Sequence, residues 1–472
     1  MKLIVEPATC PLSGTIAIPG DKSIGHRALL FSLLSATPIR VLGLGDGADN
    51  GRSAKAITAL GGSIARDGAG LVIHGAGLDG MRAPAAAIDC GNSGTTIRLM
   101  CGLLAGQRFQ TTLFGDDSLS NRPMRRVIEP LAAMGATITG RPVGQAVGQV
   151  VGQVVGKSIG QATGQGPAAT GAVDVTPPLV IGPATAPLRA IDYALPMASA
   201  QVKTAILLAG LYADGATAIT EPGPSRDHSE RMLSYLGAPL VTRGGRTVID
   251  TRGWDRRLAG DGFEVPGDPS SSAFLIVAAL IAGAGEVRLP NICTNPTRTG
   301  FLDAIAAMGG SVAHDEPRHA GPEPVAELVV RGPAPALRAT EIAGELAVRS
   351  IDELPILGVL AARARGTTTI RDAEELRVKE SDRIATTCAM LRAFGVACEP
   401  RDDGFVVEGN PERPLTAARV HADGDHRIAM AAAVAALVAD GPSEIDDADN
   451  VATSYPGFAA ALTRLGATIT AA

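Results

Sequence analysis

Apolar residues along the chain recur in one pattern: the apolar end of a helix, a glycine, and a short strand. The pattern occurs six times, with its glycines at Gly61, Gly135, Gly237, Gly309, Gly395 and Gly466. A glycine at this place suits the left-handed conformation that ends many helices. The chain is therefore predicted to contain six units in which helices alternate with strands.

A longer repeat divides the six units into two halves. Ile18-Pro-Gly-Asp21 recurs as Val265-Pro-Gly-Asp268, at an offset of 247 positions. Two tandem halves of three units each predict two domains. We expect one domain to combine residues 1–20 with 265–472, and the other to span residues 21–264.

Several of the predicted helices are apolar on every side. Residues 273–281 and 428–437 contain no charged side chain, and a helix without a polar face belongs in the interior. Segments such as Thr15–Ile18 and Leu71–His74 predict short strands between the helices. The sequence therefore predicts an α/β fold with inverted layers, in which helices are buried and sheets lie outside.

Small polar residues cluster at the starts of many apolar helices. These stretches are Pro19–Arg27, Gly91–Thr96, Ser199–Lys203, Ser225–Ser229, Lys379–Arg383 and Gly424–Arg427. Unpaired N–H groups and the positive end of the helix dipole favour a bound anion there. For any single stretch, ordinary helix capping is the better explanation. Their number, and the lysine or arginine that most of them carry, predict a cleft for more than one anionic group.

Composition limits the partners of the chain. A length of 472 residues exceeds what one hydrophobic core usually organises, and a net charge of -6 gives no reason to expect nucleic acid. The six cysteines show neither a C-x-x-C pair nor metal-ligand spacing, which favours reduced thiols in the cytoplasm. The apolar runs are too short for a membrane span. We expect a cytoplasmic protein that binds neither nucleic acid nor membrane.

A low-complexity tract of valine, glycine and glutamine interrupts the second interval between the six glycines of the repeat, at residues 143–172. Such a composition cannot form a packed core. We expect the tract to loop out of the second domain or to be disordered.

Six motifs resemble those of one enzyme family. They are Pro19–Arg27, Gly91–Thr95, Asn121–Pro123, Ser199–Gln201, Leu376–Arg383 and Asp425–Arg427. In this order they closely resemble the EPSP synthase (3-phosphoshikimate 1-carboxyvinyltransferase) family, over essentially the whole chain apart from the tract. The resemblance implies a two-domain inside-out α/β barrel of six βαβαββ units. It also implies transfer of the enolpyruvyl group of phosphoenolpyruvate to the 5-hydroxyl of shikimate 3-phosphate, without a metal or organic cofactor, by a chain expected to be monomeric.

The resemblance assigns roles to residues at matching positions. Asp352 is implied as the base at the sugar hydroxyl, Glu380 as the acid at the methylene carbon, and Lys22 as a catalytic residue that spans both substrates. The residues implied to bind shikimate 3-phosphate are Lys22, Ser23, Arg27, Ser199, Gln201, Arg226, Asp352 and Lys379. Those implied to bind phosphoenolpyruvate are Lys22, Gly94, Arg122, Gln201, Arg383 and Arg427. Without the resemblance, Asp352 would be interpreted as a helix N-cap and Glu380 as a first-turn charge.

The sequence departs from the family pattern in two places. Ala200 stands where many members carry a second serine, and Thr453 stands where many carry a lysine. The resemblance also implies that His426 positions Arg427. These departures remove one hydroxyl and one cation from the expected substrate contacts.

Two other functions compete with this interpretation. One is the sister enolpyruvyl transferase that acts on UDP-N-acetylglucosamine, but the loop from Gly115 to Arg122 lacks the cysteine that this family uses there. The other is a non-catalytic anion-binding protein of the same fold. The presence of both Asp352 and Glu380 argues against it.

Deleting residues 143–172 should leave enzymatic activity largely intact, because a structureless tract contributes little to a packed core. The measurement is the turnover and the melting temperature of the shortened chain beside the full chain. A shortened chain that fails to fold would contradict the interpretation of the tract.

Overall fold

The structure, a computed structural model, describes residues 1–143, 174–332 and 336–471 of a chain with a mixed α/β fold. The helices are α1 (Lys22–Leu33), α2 (Ala48–Ala59), α3 (Gly94–Leu104), α4 (Arg125–Ala133), α5 (Ala200–Gly210), α6 (His228–Tyr235), α7 (Pro269–Ala282), α8 (Gly300–Ala307), α9 (Gly344–Arg349), α10 (Leu354–Ala362), α11 (Arg383–Ala393), α12 (His426–Ala436) and α13 (Phe458–Arg464). None of the helices in these ranges is long and apolar enough to cross a membrane. The predicted low-complexity loop lies, beyond Val143, outside the described residues.

The strands are short and alternate with the helices. They are β1 (Leu3–Val5), β2 (Leu12–Thr15), β3 (Ile39–Leu42), β4 (Ser63–Asp67), β5 (Gly70–His74), β6 (Ile88–Asp89), β7 (Thr111–Phe114), β8 (Ile138–Pro142), β9 (Val175–Ile181), β10 (Leu188–Arg189), β11 (Asp192–Ala194), β12 (Ala213–Asp214), β13 (Ala216–Thr220), β14 (Leu240–Arg243), β15 (Arg246–Asp250), β16 (Gly262–Glu264), β17 (Ala284–Cys293), β18 (Ala313–His314), β19 (Arg318–Ala320), β20 (Glu323–Arg331), β21 (Glu341–Ile342), β22 (Gly366–Ile370), β23 (Cys398–Arg401), β24 (Gly404–Gly409), β25 (Arg419–His421), β26 (Ser443–Asp446) and β27 (Ile469–Ala471).

Six sheets among the described residues repeat one topology. Their strand orders are β6-β7-β9-β8, β11-β13-β15-β14, β16-β3-β5-β4, β2-β17-β20-β18, β21-β22-β24-β23 and β25-β26-β1-β27. In each sheet the first pair is parallel and the next two pairs are antiparallel. One topology formed six times confirms the predicted six units.

The buried apolar side chains form two separate clusters, one in each lobe of the molecule. One cluster runs from Leu3 to Ile18 and then from Ala273 to Ala467. The other runs from Ile24 to Val265 and takes in Cys293. The predicted domain boundaries, 1–20 with 265–472 and 21–264, stay a prediction that these clusters support.

The most apolar helices lie in the interior, as predicted. In α7 every residue from Pro269 to Leu280 is buried, and in α12 every residue from His426 to Ala436 is buried. Each buried leucine, isoleucine or valine contributes roughly 1.5–3 kcal/mol of transfer free energy. The helices therefore supply the cores, and the sheets cover them.

The two Pro-Gly-Asp copies lie side by side where the chain crosses between the lobes. Gly20 and Gly267 form an antiparallel bridge, and the backbone N–H of Asp21 donates to the carbonyl oxygen of Pro266 at 2.7 Å. A Cβ on Gly20 would lie 1.9 Å from the carbonyl oxygen of Gly43. The glycine of the motif is therefore required by the close approach of two backbones.

A buried arginine joins the two crossing segments. Arg298 donates from Nη1 to Oδ2 of Asp21 at 2.6 Å and from Nη2 to Oδ1 of Asp268 at 3.1 Å. Each aspartate also caps a helix, since Asp21 accepts from the N–H of Ile24 at 2.8 Å and Asp268 from that of Ser270 at 2.8 Å. Burial opposes the charge on Arg298, but the two carboxylates raise its pKa above the ordinary value. The starts of α1 and α7 are thereby held beside each other.

One predicted strand was wrong. The segment Thr15–Ile18 was expected to be a strand, but β2 covers Leu12–Thr15. Ile16 makes one more backbone hydrogen bond, to the carbonyl oxygen of Arg288 at 3.0 Å, and the chain then leaves the sheet to cross to the other lobe. Ile16 and Ile18 are apolar because they pack in the core, which the alternating pattern cannot distinguish from strand pairing.

A buried histidine joins three helices of the second lobe. Nδ1 of His26 on α1 lies 2.9 Å from Oγ of Ser53 on α2 and 3.4 Å from Oγ1 of Thr96 on α3. Burial, together with the charges of Lys22 and Arg27, lowers the pKa of His26 to about 3. His26 is therefore a neutral hydrogen-bonding group at neutral pH.

Lowering the pH from 7 to 5 should destabilise the protein through His26. The unfolded chain, with a histidine pKa near the ordinary value, binds a proton over this interval that the folded chain does not bind, so the free energy of unfolding falls by about 2 kcal/mol. Urea unfolding at both pH values should show that the wild type loses about 2 kcal/mol more than His26→Gln, because buried His426, whose pKa is also lowered to about 3, contributes to the loss in both chains. The control is His74→Gln, which changes an exposed histidine of the same lobe. Equal pH dependence in all three chains would contradict the assignment.

Candidate active site

A cleft lies between the two lobes, and helix starts from both lobes line it. Lys22 begins α1, Gly94 begins α3, and Asp352 precedes α10. All thirteen residues predicted to bind substrate or take part in catalysis lie around this cleft: Lys22, Ser23, Arg27, Gly94, Arg122, Ser199, Gln201, Arg226, Asp352, Lys379, Glu380, Arg383 and Arg427. The roles assigned to them by resemblance stay predictions.

The cleft concentrates positive charge in an acidic chain. Ten lysine and arginine residues line it, against five aspartate and glutamate residues, whereas the whole chain carries a net charge of -6. Walls of one sign focus the potential in a cleft and attract counter-ions. The arrangement suits a ligand with several negative charges.

Asp352 is surrounded by four cations. Its carboxylate accepts from Arg226 of the other lobe and from Arg383 at 3.3 Å, and it lies 3.7 Å from Nζ of Lys379 and 4.0 Å from Nη2 of Arg427. Burial raises the pKa of Asp352, but these four cations outweigh burial and hold the pKa well below its usual range. Asp352 is therefore ionised at neutral pH.

Glu380 is the second carboxylate in a cationic environment. Its Oε2 accepts from Nη2 of Arg383 at 2.6 Å. Burial raises the pKa of Glu380, but the cations Arg383, Arg122 and Lys22 outweigh burial and hold the pKa well below its usual range. Glu380 is therefore ionised at neutral pH.

Neither Asp352 nor Glu380 caps a helix, although a capping role for Asp352 and a first-turn charge for Glu380 were the alternative interpretations. The residue that directly precedes α10 is Glu353. The side chain that caps α11 is that of Asp382, whose Oδ1 accepts from the backbone N–H of Ile384 at 3.1 Å. Both candidate carboxylates instead point toward the cleft residues that pair with them.

Gly94 lets two guanidinium groups approach the start of α3. A Cβ at this position would lie 2.8 Å from Nη1 of Arg98 and 3.1 Å from Nη1 of Arg122. Arg122 is held in place by a 2.6 Å hydrogen bond to Oδ1 of Asn92. Burial, together with the charges of Arg126 and Arg122, lowers the pKa of Arg98 to about 9, so Arg98 remains a cation at neutral pH.

Other predicted residues are oriented by contacts within the protein. Gln201 accepts from Arg98 at 2.8 Å and donates from Nε2 to Thr95 at 3.0 Å. Arg27 is nearly fully buried and donates from Nε to Oγ of Ser229 at 2.7 Å. These contacts fix the side chains before any ligand arrives.

Two residues singled out in the sequence do not line the cleft in the described part of the chain. His426 is buried, and burial together with the charge of Lys22 lowers its pKa to about 3, so its imidazole is neutral. This excludes His426 as a proton donor at neutral pH. Thr453 lies in a neighbouring depression together with Asp49 and Arg52.

Ten polar residues that line the cleft were not named individually as site residues. They are Asp49, Asn92, Thr95, Arg98, Arg126, Ser225, Asp268, Thr297, Arg298 and Glu375, of which Asn92, Thr95 and Ser225 lie within stretches singled out as anion-binding helix starts. Helical spacing could have found two of them, because Arg98 lies four residues after Gly94 on α3, and Glu375 lies four residues before Lys379, to which it is paired at 2.9 Å. No sequence signal marked Asp49, which reaches Nζ of Lys22 at 3.4 Å from another helix.

Comparisons with known proteins agree with this geometry. The model of the family described as EPSP synthase (3-phosphoshikimate 1-carboxyvinyltransferase) matches residues 7–160 and 168–462. The chain is 46% identical over 455 residues to a 3-phosphoshikimate 1-carboxyvinyltransferase of Geobacter sulfurreducens, covering 96% of this chain and 97% of that protein. It is 47% identical over 456 residues to the protein of the same name from Halorhodospira halophila, covering 96% and 94%.

A solved structure shows the same similarity. The chain matches the structure of EPSP synthase from Acinetobacter baumannii with a TM-score of 0.82 and 36% sequence identity, over 100% of both chains. Family model, relatives and fold agree over nearly the full length. The chain therefore belongs to the EPSP synthase (3-phosphoshikimate 1-carboxyvinyltransferase) family.

Proposed function

We propose that this chain transfers the enolpyruvyl group of phosphoenolpyruvate to the 5-hydroxyl of shikimate 3-phosphate and releases inorganic phosphate. This is a step on the way to chorismate and the aromatic amino acids. The observation that carries the proposal is the excess of cations in one cleft that also holds two ionised carboxylates. Both substrates carry a phosphate and a carboxylate, and arginine forks and helix starts recognise such groups.

The two carboxylates divide the proton transfers between them. Asp352 takes the proton of the 5-hydroxyl while the hydroxyl oxygen attacks C2 of phosphoenolpyruvate, and Glu380 delivers a proton to the methylene carbon C3. In the elimination step both roles are reversed, and phosphate leaves from C2. Lys22, between the two substrates, balances charge on both. Paired carboxylates in different environments can serve as base and acid in this way.

Substrate binding prepares both carboxylates for these roles. The phosphate of shikimate 3-phosphate would draw Arg226 and Lys379 away from Asp352, and the anionic groups of phosphoenolpyruvate would compensate Arg383, Arg122 and Lys22 around Glu380. Negative charge brought close to a carboxylate raises its pKa. Asp352 thereby becomes a stronger base, and Glu380 takes up the proton that it later donates.

The site needs residues from one chain alone. Arg226 of one lobe and Asp352 of the other already meet within a single molecule, so we propose that the protein acts as a monomer. The six cysteines, all of them unpaired, support a reducing compartment such as the cytoplasm.

The direct test is release of inorganic phosphate from phosphoenolpyruvate. Release should require shikimate 3-phosphate, and UDP-N-acetylglucosamine should not replace it. Release with the nucleotide sugar alone would assign the chain to the sister reaction. If neither acceptor causes release of inorganic phosphate but phosphoenolpyruvate still binds, the chain is a non-catalytic anion-binding protein.

Asp352→Asn should keep the affinity for shikimate 3-phosphate within a few-fold but lose roughly 10²–10⁴ in turnover, because the amide cannot accept the hydroxyl proton. Equilibrium binding and steady-state phosphate release measure the two effects separately. Asp402→Asn, which alters an exposed carboxylate between β23 and β24, is the matched control and should leave both unchanged. Undiminished turnover in Asp352→Asn would remove Asp352 from the mechanism.

Gly94→Ala should raise the KM for phosphoenolpyruvate by at least about tenfold while changing the KM for shikimate 3-phosphate little. The added methyl group would displace the guanidinium groups of Arg98 and Arg122, and small displacements of binding groups are costly. Steady-state kinetics with each substrate varied in turn gives both constants. Gly51→Ala on α2 is the control, since a Cβ there meets no atom within 4 Å. An unchanged KM in Gly94→Ala would place phosphoenolpyruvate elsewhere in the cleft.

A further inference from the structure

Two cysteines outside the cleft lie in contact. Sγ of Cys398 lies 3.1 Å from Sγ of Cys388, and the two residues are ten positions apart in the chain. Cys388 is on α11, and Cys398 begins β23, with the glycine turn at Gly395 between them. A disulfide bond is about 2 Å long, so the two sulfur atoms need to approach by about 1 Å to become bonded.

In the sixfold repeat, these two cysteines occupy positions that are both apolar in most of the other units. Seven residues before and three residues after each helix-end glycine, the other five units carry Ala54 and Ile64, Ile128 and Ile138, Glu230 and Leu240, Leu302 and Val312, and Ala459 and Ile469. In four of these five units both residues are apolar and belong to, or pack against, a hydrophobic cluster. Packing alone therefore does not require cysteine at either position, and only this unit places two sulfur atoms there.

The local environment makes one of the two thiols acidic. The S–H of Cys398 donates to Cys388, which lowers the pKa of Cys388, and the guanidinium of Arg392 lowers it further. The pKa of Cys398 is raised by its hydrogen bond to Cys388, by burial and by the charge that an ionised Cys388 would carry. The thiolate is the form of cysteine that attacks an oxidant. The lowered pKa of Cys388 therefore favours its oxidation, and the thiol in contact with it can complete a disulfide.

The other buried cysteines have thiol pKa values that are raised rather than lowered. Burial raises the pKa of Cys101 to about 12 and raises the pKa values of Cys90 and Cys293 above their usual range. Cys10 is exposed. The three protonated buried thiols and the one exposed thiol therefore serve as internal controls for the reactivity of the Cys388–Cys398 pair.

The dithiol lies close to the molecular surface although both sulfur-bearing residues are buried. Cys398 starts the edge strand of its sheet, and the residues that follow it, Glu399 to Arg401, are exposed. Exposed Arg392 donates from Nε to the carbonyl oxygen of Cys398 at 2.7 Å. An edge strand of four residues is held by fewer contacts than the core and is a favourable place for a small oxidant to approach a buried thiol.

We propose that Cys388 and Cys398 form a reversible oxidation site for hydroperoxides, at which hydrogen peroxide converts the two thiols into a disulfide. The Cys388 thiolate attacks one peroxide oxygen, the O–O bond breaks, and the departing hydroxide takes up the proton that Cys388 released. The sulfur of Cys398 then attacks the sulfenic acid at Cys388, the S–O bond breaks, and water leaves with the proton of Cys398. Two thiols and one hydrogen peroxide thus give one disulfide and two waters, and a dithiol reductant reverses the reaction.

The test uses the full reduced chain with hydrogen peroxide alone as the probe. After oxidation and alkylation of the remaining thiols, trypsin releases residues 384–392 and 393–401 as adjacent peptides, each with one cysteine. We expect these two peptides to be joined by a bond that dithiothreitol cleaves, with a loss of two hydrogen atoms from the intact mass. We also expect the joined pair to form at least about tenfold faster than Cys90, Cys101 and Cys293 are modified.

The control variant is Cys388→Ala combined with Cys398→Ile, which restores the pair present in the first and sixth units and keeps the other four cysteines. It should fold with the wild-type melting temperature and show no joined peptides. Oxidation of Cys10 while both peptides stay unjoined would overturn the proposal. So would conversion of Cys388 to the sulfinic acid without a cross-link, or joining no faster than the modification of the other buried cysteines.

Discussion

A helix that is apolar on every side has no surface for water, and this constraint determines the rest of the molecule. Both α7 and α12 are buried along nearly their whole length, so the sheets must cover them from outside. The polar first turns are then the parts of the helices that can reach solvent. In each lobe these turns gather at one end, and the cleft lies where the two ends face each other. The layering that builds the core therefore also builds a surface rich in N–H donors and cations.

The cleft depends equally on how the lobes are joined. Arg298 holds Asp21 and Asp268 together at the two chain crossings, and each aspartate fixes the start of a helix. Breaking such a buried charge group by removing one partner is costly, because the remaining charge loses its compensation. Across the cleft, Arg226 of one lobe meets Asp352 of the other. The lobes are therefore joined at the chain crossings by Arg298 and across the cleft by the ion pair of Arg226 with Asp352.

Much of the site could be predicted because its residues lie in short motifs at or just before the starts of helices. The stretches around Lys22, Gly94 and Lys379 combine a turn, small polar residues and a cation, which local sequence reveals. Arg98 and Asp49 were missed because they reach the cleft from the body of a helix and from a different helix. The prediction of a strand at Thr15–Ile18 was wrong because an alternating apolar pattern indicates only that side chains are buried. The pattern is the same whether the backbone pairs in a sheet or crosses the core unpaired.

The sequence by itself determined the six units, the two halves and the buried helices, because periodicity, glycine position and the lack of polar faces are local properties of the chain. It also identified, through its motifs and their family resemblance, thirteen of the residues that line the cleft. Only the tertiary structure decided which charges meet: Asp352 among four cations, Arg298 between two aspartates, and Cys388 against Cys398. These pairs depend on distances between segments that pack against one another, and local sequence does not encode such distances.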